Sequence, residues 1–190
     1  AVSLPYTSAG FGYTISVPAN GNTVYTYDGV GRVRTKSVAG LVTSFSYDAR
    51  STTAVDNAST QHKKSYLYDA RGNLTRVDEY NEGQVYTTTY NYTPTNKLSR
   101  ITDANGNIRN FSYLSNGLLT YQEDPHPSSD ATFTTYSYTY DTIGRLSQKT
   151  GPLGTTSYIY DTLDRPLSRT THGSVEGTST VSFVYGTCAN

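Results

Sequence analysis

The residues best suited to chemistry are aspartates that follow a recurring pair of aromatic residues: Asp28, Asp48, Asp69, Asp141 and Asp161. Carboxylates repeated in this way would suit calcium binding or acid catalysis. A calcium site needs several oxygen ligands close together, however, and each recurrence supplies a single aspartate. An aspartate at the end of a strand can also accept hydrogen bonds from backbone N–H groups of the next turn. We therefore predict that each aspartate caps its own turn and holds no metal.

The other candidates for catalysis or metal binding are the three histidines, His62, His126 and His172. Their spacing matches no zinc motif, and the single cysteine, Cys188, excludes an internal disulfide and a cysteine cluster for zinc. A Ser-His-Asp site could still assemble in space, but no Gly-x-Ser-x-Gly motif is present to expose a nucleophilic serine. We predict surface histidines, no catalytic residue, no metal and no cofactor, and therefore a protein that is not an enzyme.

The aspartates belong to a repeated motif in which an aromatic residue, any residue and a tyrosine precede Asp, two residues, Gly and then Arg or Asn. The second aromatic residue falls at positions 27, 47, 68, 92, 113, 140, 160 and 185, so copies follow one another at intervals of 20 to 27 residues. We predict an array of about eight repeats over residues 25–190, preceded by a degenerate first repeat or a capping strand over residues 1–24. The residues that define the four clearest copies are Tyr25, Tyr27, Asp28, Gly31 and Arg32; Tyr66, Tyr68, Asp69 and Gly72; Tyr138, Tyr140, Asp141, Gly144 and Arg145; and Tyr158, Tyr160 and Asp161.

The pattern of this motif is that of a β-hairpin. Side chains alternate along a strand, so Tyr-x-Tyr places both rings on one face of a sheet. The glycine provides the positive φ at which the chain reverses direction. A second turn signal between copies, such as Asn105-Gly106, reverses the chain again, so each repeat contains two strands and two turns. No window has the apolar periodicity of an amphipathic helix. We therefore predict an all-β fold, a repetitive strip of antiparallel hairpins curved like a segment of a shell wall.

Composition and charge narrow the class of protein further. Nineteen tyrosines among 190 residues favour a wet sheet surface over a dry compact core, because each ring has a polar tip. Fifteen Lys and Arg balance fifteen Asp and Glu, so the basic excess that binds nucleic acid or an anionic membrane is absent. No apolar stretch approaches the roughly 18–20 residues that span a bilayer. We predict no nucleic-acid partner and no membrane span.

One candidate contact surface is the edge strand near the end of the array. An open antiparallel strip leaves unpaired backbone groups on its last strand. The segment with Val181, Phe183, Val184 and Tyr185 is uncharged and contains no proline, so nothing in it prevents pairing with another chain. Head-to-tail pairing of such edges would grow a filament. We predict self-association through this edge.

The other candidate contact surface lies in the longest interval between copies. This interval contains a polar loop with two prolines and includes Asp124, His126 and Asp130. Long loops on a rigid scaffold often carry contacts with partners. We predict that these three residues belong to an exposed loop that binds a partner.

The motif resembles the YD repeat of the Rhs and YD-repeat family, which includes bacterial Rhs toxins, the C component of insecticidal Tc toxins and the animal teneurins. The resemblance extends from about Tyr25 to Tyr185. It implies a β-strip that spirals into a hollow shell, which encloses a toxic segment in bacterial members and carries adhesion modules in teneurins. Family shells use many more repeats than eight, so the resemblance implies a wall segment or a subunit that assembles.

These observations together predict a non-enzymatic structural scaffold, extracellular or at the cell surface, that associates with itself as a filament or shell. Two alternatives stay open. Tyrosine rings can stack on pyranose rings, and the family has been linked with carbohydrates, so one alternative is a carbohydrate-binding adhesion module. The other is a fragment of a toxin-encapsulating Rhs shell. The predicted partner is a second copy of the chain, with glycans as the alternative.

Overall fold

The fold is described by a computed structural model for residues 2–3, 6–7, 10–17, 21–57, 62–130, 132–173 and 177–185, with side chains from residue 23 onward. Cys188 lies outside these residues. Every regular element in them is a β-strand, which confirms the all-β prediction. The chain divides into two compact units, residues 1–90 and 91–190. Among the described residues there is no helix long and apolar enough to cross a bilayer.

The first unit is an antiparallel meander. Its strands are β1 (Val2–Ser3), β2 (Tyr6–Thr7), β3 (Gly10–Val17), β4 (Gly21–Tyr27), β5 (Val33–Val38), β6 (Leu41–Tyr47), β7 (Ser51–Asp56), β8 (Lys63–Tyr68), β9 (Leu74–Asn81) and most of β10 (Gln84–Tyr92). From β3 to β10 each strand pairs with the next one along the chain. The two short strands β1 and β2 both pair with β3. Tyr-x-Tyr pairs end the strands β4, β8 and β10, as the motif predicts.

The second unit repeats this arrangement with one interruption. Its strands are β11 (Leu98–Thr102), β12 (Asn107–Tyr113), β13 (Leu119–Glu123), β14 (His126–Pro127), β15 (Thr135–Tyr140), β16 (Leu146–Gly151), β17 (Gly154–Tyr160), β18 (Pro166–Gly173) and β19 (Gly177–Ser182). β12 pairs with β13 over one part of its length and with the two-residue β14 over another. β13 then pairs with β15, and from β15 to β19 each strand pairs with its successor. The chain therefore bends between β13 and β14.

The clear copies of the motif also contain a β-bulge that the sequence pattern did not reveal. The pairing register shifts immediately before the second aromatic residue, which then pairs with the residue six positions later, as Tyr140 does with Leu146. A bulge beside a three-residue loop accommodates the extra residue and increases the local twist of the strands. The same shift precedes Tyr27, Tyr68, Tyr113 and Tyr160.

The described side chains form no dry hydrophobic core. No hydrophobic side chain among them is buried, and the tyrosines that define the motif are half-buried. The two buried side chains are polar, Glu123 at 5% and His126 at 6% exposure. Hairpins that lack a core of their own are stabilised chiefly by contact with their neighbours in the array. The contacts between successive copies are therefore the main source of the stability of this fold.

Candidate functional site

The turns that follow the Tyr-x-Tyr-Asp copies of the motif are closed by one aspartate side chain. Asp141 Oδ1 accepts hydrogen bonds from the backbone N–H groups of Ile143 (3.1 Å) and Arg145 (2.9 Å), and Oδ2 accepts one from Arg145 Nε (2.7 Å). The backbone N–H of Asp141 donates to the carbonyl of Arg145 at 2.9 Å, and that of Gly144 donates to the carbonyl of Asp141 at 3.0 Å. Both carboxylate oxygens are therefore engaged within the turn.

The same bonds recur in the other clear copies. Asp28 and Asp161 each hold an arginine four positions later through Nε at 2.7 Å. Asp69 holds Asn73 instead, whose Nδ2 donates to Oδ2 at 2.9 Å. The glycine of the motif has a positive φ, and in the fourth copy Asp164 adopts φ +62° in its place. A side-chain amide can therefore replace the guanidinium, and a non-glycine residue can occupy the turn.

One turn of this kind follows a strand without the aromatic pair, and sequence analysis missed it. Asp103 Oδ1 accepts the backbone N–H of Asn105 (2.9 Å) and of Asn107 (2.8 Å), and Oδ2 accepts Asn107 Nδ2 (2.9 Å). The sequence had indicated only the Asn105-Gly106 turn signal. The motif Asp-x-x-Gly-Asn, which residues 103–107 share with residues 69–73, predicts this cap. The cap was overlooked because no Tyr-x-Tyr pair precedes the motif at residues 103–107. Asp48 follows an aromatic pair but does not form this five-residue turn. Its N–H donates to the carbonyl of Ser51, three residues later, so the turn closes one residue earlier than in the clear copies.

In five copies the second aromatic residue of the motif is a tyrosine that ties the copy to the preceding one. Tyr160 Oη donates to the carbonyl oxygen of Leu146 at 2.9 Å, and Tyr140 Oη donates to that of Leu119 at 2.7 Å. Each acceptor is the residue at which the return strand of the preceding copy begins. The phenolic hydroxyl, which phenylalanine lacks, therefore contributes one of the links between copies. The equivalent bonds join Tyr47 to Val33, Tyr113 to Leu98 and Tyr185 to Pro166, at 2.7, 2.8 and 2.8 Å.

The arginine of the motif also connects two copies. Arg145 pairs with Asp141 of its own turn, and its guanidinium lies 4.9 Å from the centroid of the Tyr160 ring in the next copy. This distance is within the range of a cation–π contact. Arg145 Nη1 also donates to the carbonyl of Asp161 (2.9 Å) and to Asp164 Oδ1 (2.8 Å). We call Asp141, Arg145 and Tyr160 a repeat clasp; the equivalent sets are Asp28, Arg32 and Tyr47, with 4.4 Å from guanidinium to ring, and Asp161, Arg165 and Tyr185, with 4.3 Å.

A buried polar cluster lies where the chain bends between β13 and β14. Glu123 Oε2 accepts hydrogen bonds from the backbone N–H (3.0 Å) and Nδ2 (2.7 Å) of Asn110, and lies 3.2 Å from His126 Nε2. Glu123 Oε1 accepts the hydroxyl of Tyr121 at 2.9 Å. Burial alone would raise the pKa of Glu123, but the hydrogen bonds from Tyr121, His126 and Asn110 outweigh it and hold the pKa below its usual range. The carboxylate is thus stabilised as an anion.

His126 completes this cluster, and its position differs from the one predicted. Its ring stacks on Phe133 with the centroids 3.8 Å apart, and its Nδ1 lies 2.9 Å from the carbonyl oxygen of Pro127. The sequence predicted an exposed loop residue, because two prolines and several polar residues surround it. The structure instead buries His126, since β14 pairs with β12 and draws the histidine inward.

The remaining residues of the predicted partner loop are more accessible. Asp130 is exposed, and its Oδ1 accepts the N–H of Thr132 at 2.8 Å. Asp124 is half-buried, with Oδ1 3.5 Å from Arg109 Nη2 and Oδ2 accepting the hydroxyl of Tyr136 at 3.2 Å. The role of this loop in binding a partner stays a prediction.

The other two histidines lie apart from this cluster, and the structure shows no site built on them. His62 Nδ1 is 2.9 Å from Asp56 Oδ2, and His172 Nδ1 is 2.7 Å from Thr178 Oγ1. Both histidines are exposed. In the part of the chain that the structure describes, no group of three or more His, Cys, Asp and Glu side chains is placed to hold a metal ion.

The predicted self-association edge is exposed in the structure. Its residues Val181, Phe183, Val184 and Tyr185 are 40%, 39%, 94% and 37% exposed. Within the described ranges, β19 pairs with β18 and with no strand on its other side. Tyr185 is the second aromatic residue of the last copy and keeps its hydroxyl in the bond to Pro166, so the edge is held in the register of the array.

The turn aspartates make the fold sensitive to acid. Burial alone would raise the pKa of Asp141, but hydrogen bonds from the side chain and backbone of Arg145 outweigh it and lower the pKa below its usual value near 3.8.

Because the pKa of Asp141 is lower in the folded than in the unfolded chain, the ionised carboxylate stabilises the fold above pH ~4, and this stabilisation is lost as the pH falls through the folded-state pKa. We expect the melting temperature to fall as the pH is lowered below about 4. In Asp141→Asn, which keeps Oδ1 as an acceptor, we expect a lower melting temperature at pH 7 and a shallower acid dependence, measured by circular dichroism. An unchanged acid dependence would contradict this account.

Comparison with known proteins identifies a repeat model and solved structures that this chain resembles. A model of the RHS repeat matches residues 68–108 and 140–178. No curated protein matches the chain. Among solved structures, the chain is similar to the crystal structure of TcdB2-TccC3-TEV, with a TM-score of 0.51, 16% identity, and coverage of 86% of this chain and 11% of that chain. It is also similar to the crystal structure of TcdB2-TccC3-Cdc42, with a TM-score of 0.50, 17% identity, and coverage of 84% and 10%.

The similarities to solved structures concern the fold and only part of the length of those chains. The chain spans about a tenth of the length of the solved chains. At this level of identity they show a shared fold, the antiparallel hairpin strip. The family model matches the two segments that contain the caps of Asp69, Asp103, Asp141 and Asp161. The matching model and the shared fold confirm the resemblance found in the sequence: residues 68–108 and 140–178 of this chain match the RHS repeat, the repeat of the Rhs, or YD-repeat, family.

Proposed function

We propose that the chain is a non-enzymatic structural strip, extracellular or at the cell surface, that joins further hairpin repeats through the open edge of β19. The observation that carries this proposal is the tie between successive copies through tyrosine hydroxyls and arginines. None of the described hydrophobic side chains is buried, so the hairpins depend on their neighbours for stability. The last hairpin of such an array is therefore completed by another one.

The assignment as non-enzymatic rests on how the polar side chains are used. The aspartates of the motif are occupied by their own turns, as Asp141 illustrates. Glu123 accepts bonds at both of its oxygens, and both ring nitrogens of His126 face an oxygen. General acid or base catalysis requires a titratable group that can reach a substrate. The polar atoms of Glu123 and His126 instead bond to groups of the protein itself.

The geometry of β19 shows which backbone groups are available for pairing. The N–H of Phe183 donates to the carbonyl of Leu167, so the odd-numbered residues of this strand direct their backbone groups toward β18. In an antiparallel sheet, alternate residues bond to opposite neighbours. The N–H and C=O groups of Thr178, Thr180 and Ser182 therefore point to the open side.

Thr180→Pro tests this edge with little change to the hairpin itself. Proline removes one N–H on the open side, and proline is tolerated in edge strands where that group faces solvent. We expect the wild-type chain to gain mass with concentration in light scattering and to form fibres or rings in stained electron micrographs. We expect Thr180→Pro to stay near 20.8 kDa.

Two matched variants separate edge pairing from general damage. Thr180→Val keeps the backbone N–H and loses only the hydroxyl that lies 3.1 Å from Thr170 Oγ1, so it should associate like the wild type. Ser179→Pro removes an N–H directed at β18 and should lower the melting temperature. A wild-type chain that stays monomeric at every concentration would overturn the self-association proposal.

A second candidate function is a segment of an Rhs wall that encloses a toxin. The observation that favours it is the fold shared with TcdB2-TccC3 chains about ten times longer than the matched part. On this account the partner at the β19 edge is a further repeat of the same polypeptide. Flanking Rhs repeats on both sides of this segment in its gene would support the wall, and their absence would exclude it.

A further inference from the structure

The buried histidine at the bend, His126, has an oxygen atom opposite each of its ring nitrogens. Nδ1 lies 2.9 Å from the backbone carbonyl oxygen of Pro127, and Nε2 lies 3.2 Å from Glu123 Oε2. A carbonyl oxygen can only accept a hydrogen bond, so Nδ1 carries a proton. The state of Nε2 depends on whether Glu123 offers it an acceptor or a donor.

Glu123 offers an acceptor. Its Oε2 accepts the backbone N–H of Asn110 at 3.0 Å and the side-chain amide of Asn110 at 2.7 Å, and its Oε1 accepts the hydroxyl of Tyr121 at 2.9 Å. Burial opposes ionisation, but these bonds and the one from His126 hold the pKa of Glu123 below its usual range. Nε2 therefore donates to a carboxylate, and the ring of His126 carries a proton on both nitrogens.

Two further groups favour this positive charge on the ring. Phe133 stacks on His126 with the centroids 3.8 Å apart, and an aromatic face attracts a cation. Asp130 is a second carboxylate in the same loop. Hydrogen bonds from Thr132 lower the pKa of Asp130, and the charge of His126 adds to this effect.

The other charges at the bend balance one another. Arg109, on β12, donates through Nε to the backbone carbonyl of Glu123 at 2.7 Å, and its Nη2 lies 3.5 Å from Asp124 Oδ1. Asp124 also accepts the hydroxyl of Tyr136, on β15, at 3.2 Å. Because Arg109 and Asp124 neutralise each other, Glu123 is the carboxylate that balances the charge of the histidine.

The side chain of His126 fastens the short strand β14 to β12. β14 contains only His126 and Pro127, which pair with Ile108 and Asn107. Proline has no backbone N–H, so His126 is the only residue of β14 that can donate a backbone hydrogen bond. Backbone pairing is therefore weak at this strand, and the side-chain bonds of His126 supply much of what keeps β14 in place.

We propose that His126 is a proton-dependent latch that holds β14 and the loop of residues 124–130 against β12. As the pH rises, the ring gives one proton to the solvent, and one of its two bonds becomes a contact between two acceptors in a buried cluster. Glu123 also loses its cationic partner, and both changes are unfavourable. The stabilisation is present while the ring is doubly protonated and is lost as the pH rises through the titration of His126.

Opening of the latch is a local change within the second unit. β13 keeps its pairing with β12 on one side and with β15 on the other, so the strip stays continuous while β14 leaves β12. The inference is independent of the self-association proposed above, because it involves neither β19 nor a second copy of the chain.

Nuclear magnetic resonance of the histidine rings, combined with amide hydrogen exchange on the full chain, tests the latch. At about pH 6 we expect both ring nitrogens of His126 to carry a proton. At about pH 9 we expect the amides of His126 and Asp130 to exchange about ten-fold faster than at about pH 6, after correction for the intrinsic pH dependence of exchange. The amides of the paired strands β16 and β17 should change little.

His126→Gln removes the titrating ring and keeps a side chain that can donate a hydrogen bond. In this variant the corrected exchange of the loop amides should be equally fast at both pH values. His62→Gln and His172→Gln are the matched controls, since both of these histidines are exposed, and each should keep the pH dependence of the wild type.

Three results would overturn the proposal. The first is a His126 ring with a single proton at about pH 6. The second is a wild-type loop whose corrected exchange is the same at both pH values. The third is a folded His126→Gln variant that retains the pH dependence, which would assign it to another group. The first two are measured on the wild type, so the proposal stays testable even where the variant does not fold.

Discussion

Replacing Glu123 by alanine is expected to lower the free energy of unfolding by about 3 kcal/mol. The side chain is 5% exposed and serves as the acceptor for three residues. Alanine leaves Asn110, Tyr121 and His126 without that acceptor in a place that water enters poorly. A buried donor left without a partner costs about 1–3 kcal/mol, and partial relaxation reduces the sum.

Glu123→Gln separates the charge from the shape of this cluster. Glutamine can keep its carbonyl oxygen at the position that Asn110 and His126 use, while its amide group faces the Tyr121 hydroxyl, which can rotate to accept. We expect a loss of about 1 kcal/mol, because the charge-assisted bonds weaken while the acceptor remains. Urea denaturation followed by tyrosine fluorescence measures both losses.

Glu82→Ala is the control for removing a negative charge. Glu82 is exposed in the turn between β9 and β10 at φ +49°, and alanine is no less suited to that backbone than glutamate. We expect a change below about 0.5 kcal/mol. Equal losses for Glu82→Ala and Glu123→Ala would mean that the buried cluster does not stabilise the bend between β13 and β14.

The contrast between the turns and this cluster shows what local sequence determines. The Asp cap needs only residues within five positions, so Asp-x-x-Gly-Arg predicts the contact between Asp141 and Arg145 directly. The bulge before Tyr140 could not be predicted, because it depends on how the paired strands are aligned. The strip itself was predictable because two local patterns recur along the chain: the strand with aromatic residues two positions apart and the turn closed by aspartate.

The Glu123 cluster depends on contacts that no local pattern encodes. Asn110 lies on β12, thirteen residues before Glu123, and the two meet only because the chain bends after β13. Read locally, residues 124–130 have the composition of an exposed loop. His126 became buried through the pairing of Ile108 with β14, a contact across eighteen residues. Tertiary pairing therefore overrode the local signal at this position.

Tyr160→Ala is expected to lower the free energy of unfolding by about 2 kcal/mol, and Tyr160→Phe by about 1 kcal/mol. Phenylalanine loses only the 2.9 Å bond to the carbonyl of Leu146, whereas alanine also loses the ring that lies under Arg145. The full cost of a buried aromatic residue does not apply, because Tyr160 is half-buried. Chemical denaturation of both variants measures the two contributions separately.

The adjacent residue, Ile159, provides the control for this prediction, because it separates the effect of the clasp from that of hydrophobicity. Ile159 is the more apolar residue, yet it is 60% exposed on the opposite face, so Ile159→Ala should cost less than about 0.5 kcal/mol. In an array where stability is a sum of hairpins and the contacts between them, weakening one contact also uncouples the hairpins on either side. Tyr160→Ala should therefore broaden the unfolding transition as well as shift it, and Ile159→Ala should do neither. A uniform shift without broadening would mean that the hairpins are coupled mainly through the backbone ladder and that the clasp adds only local stability.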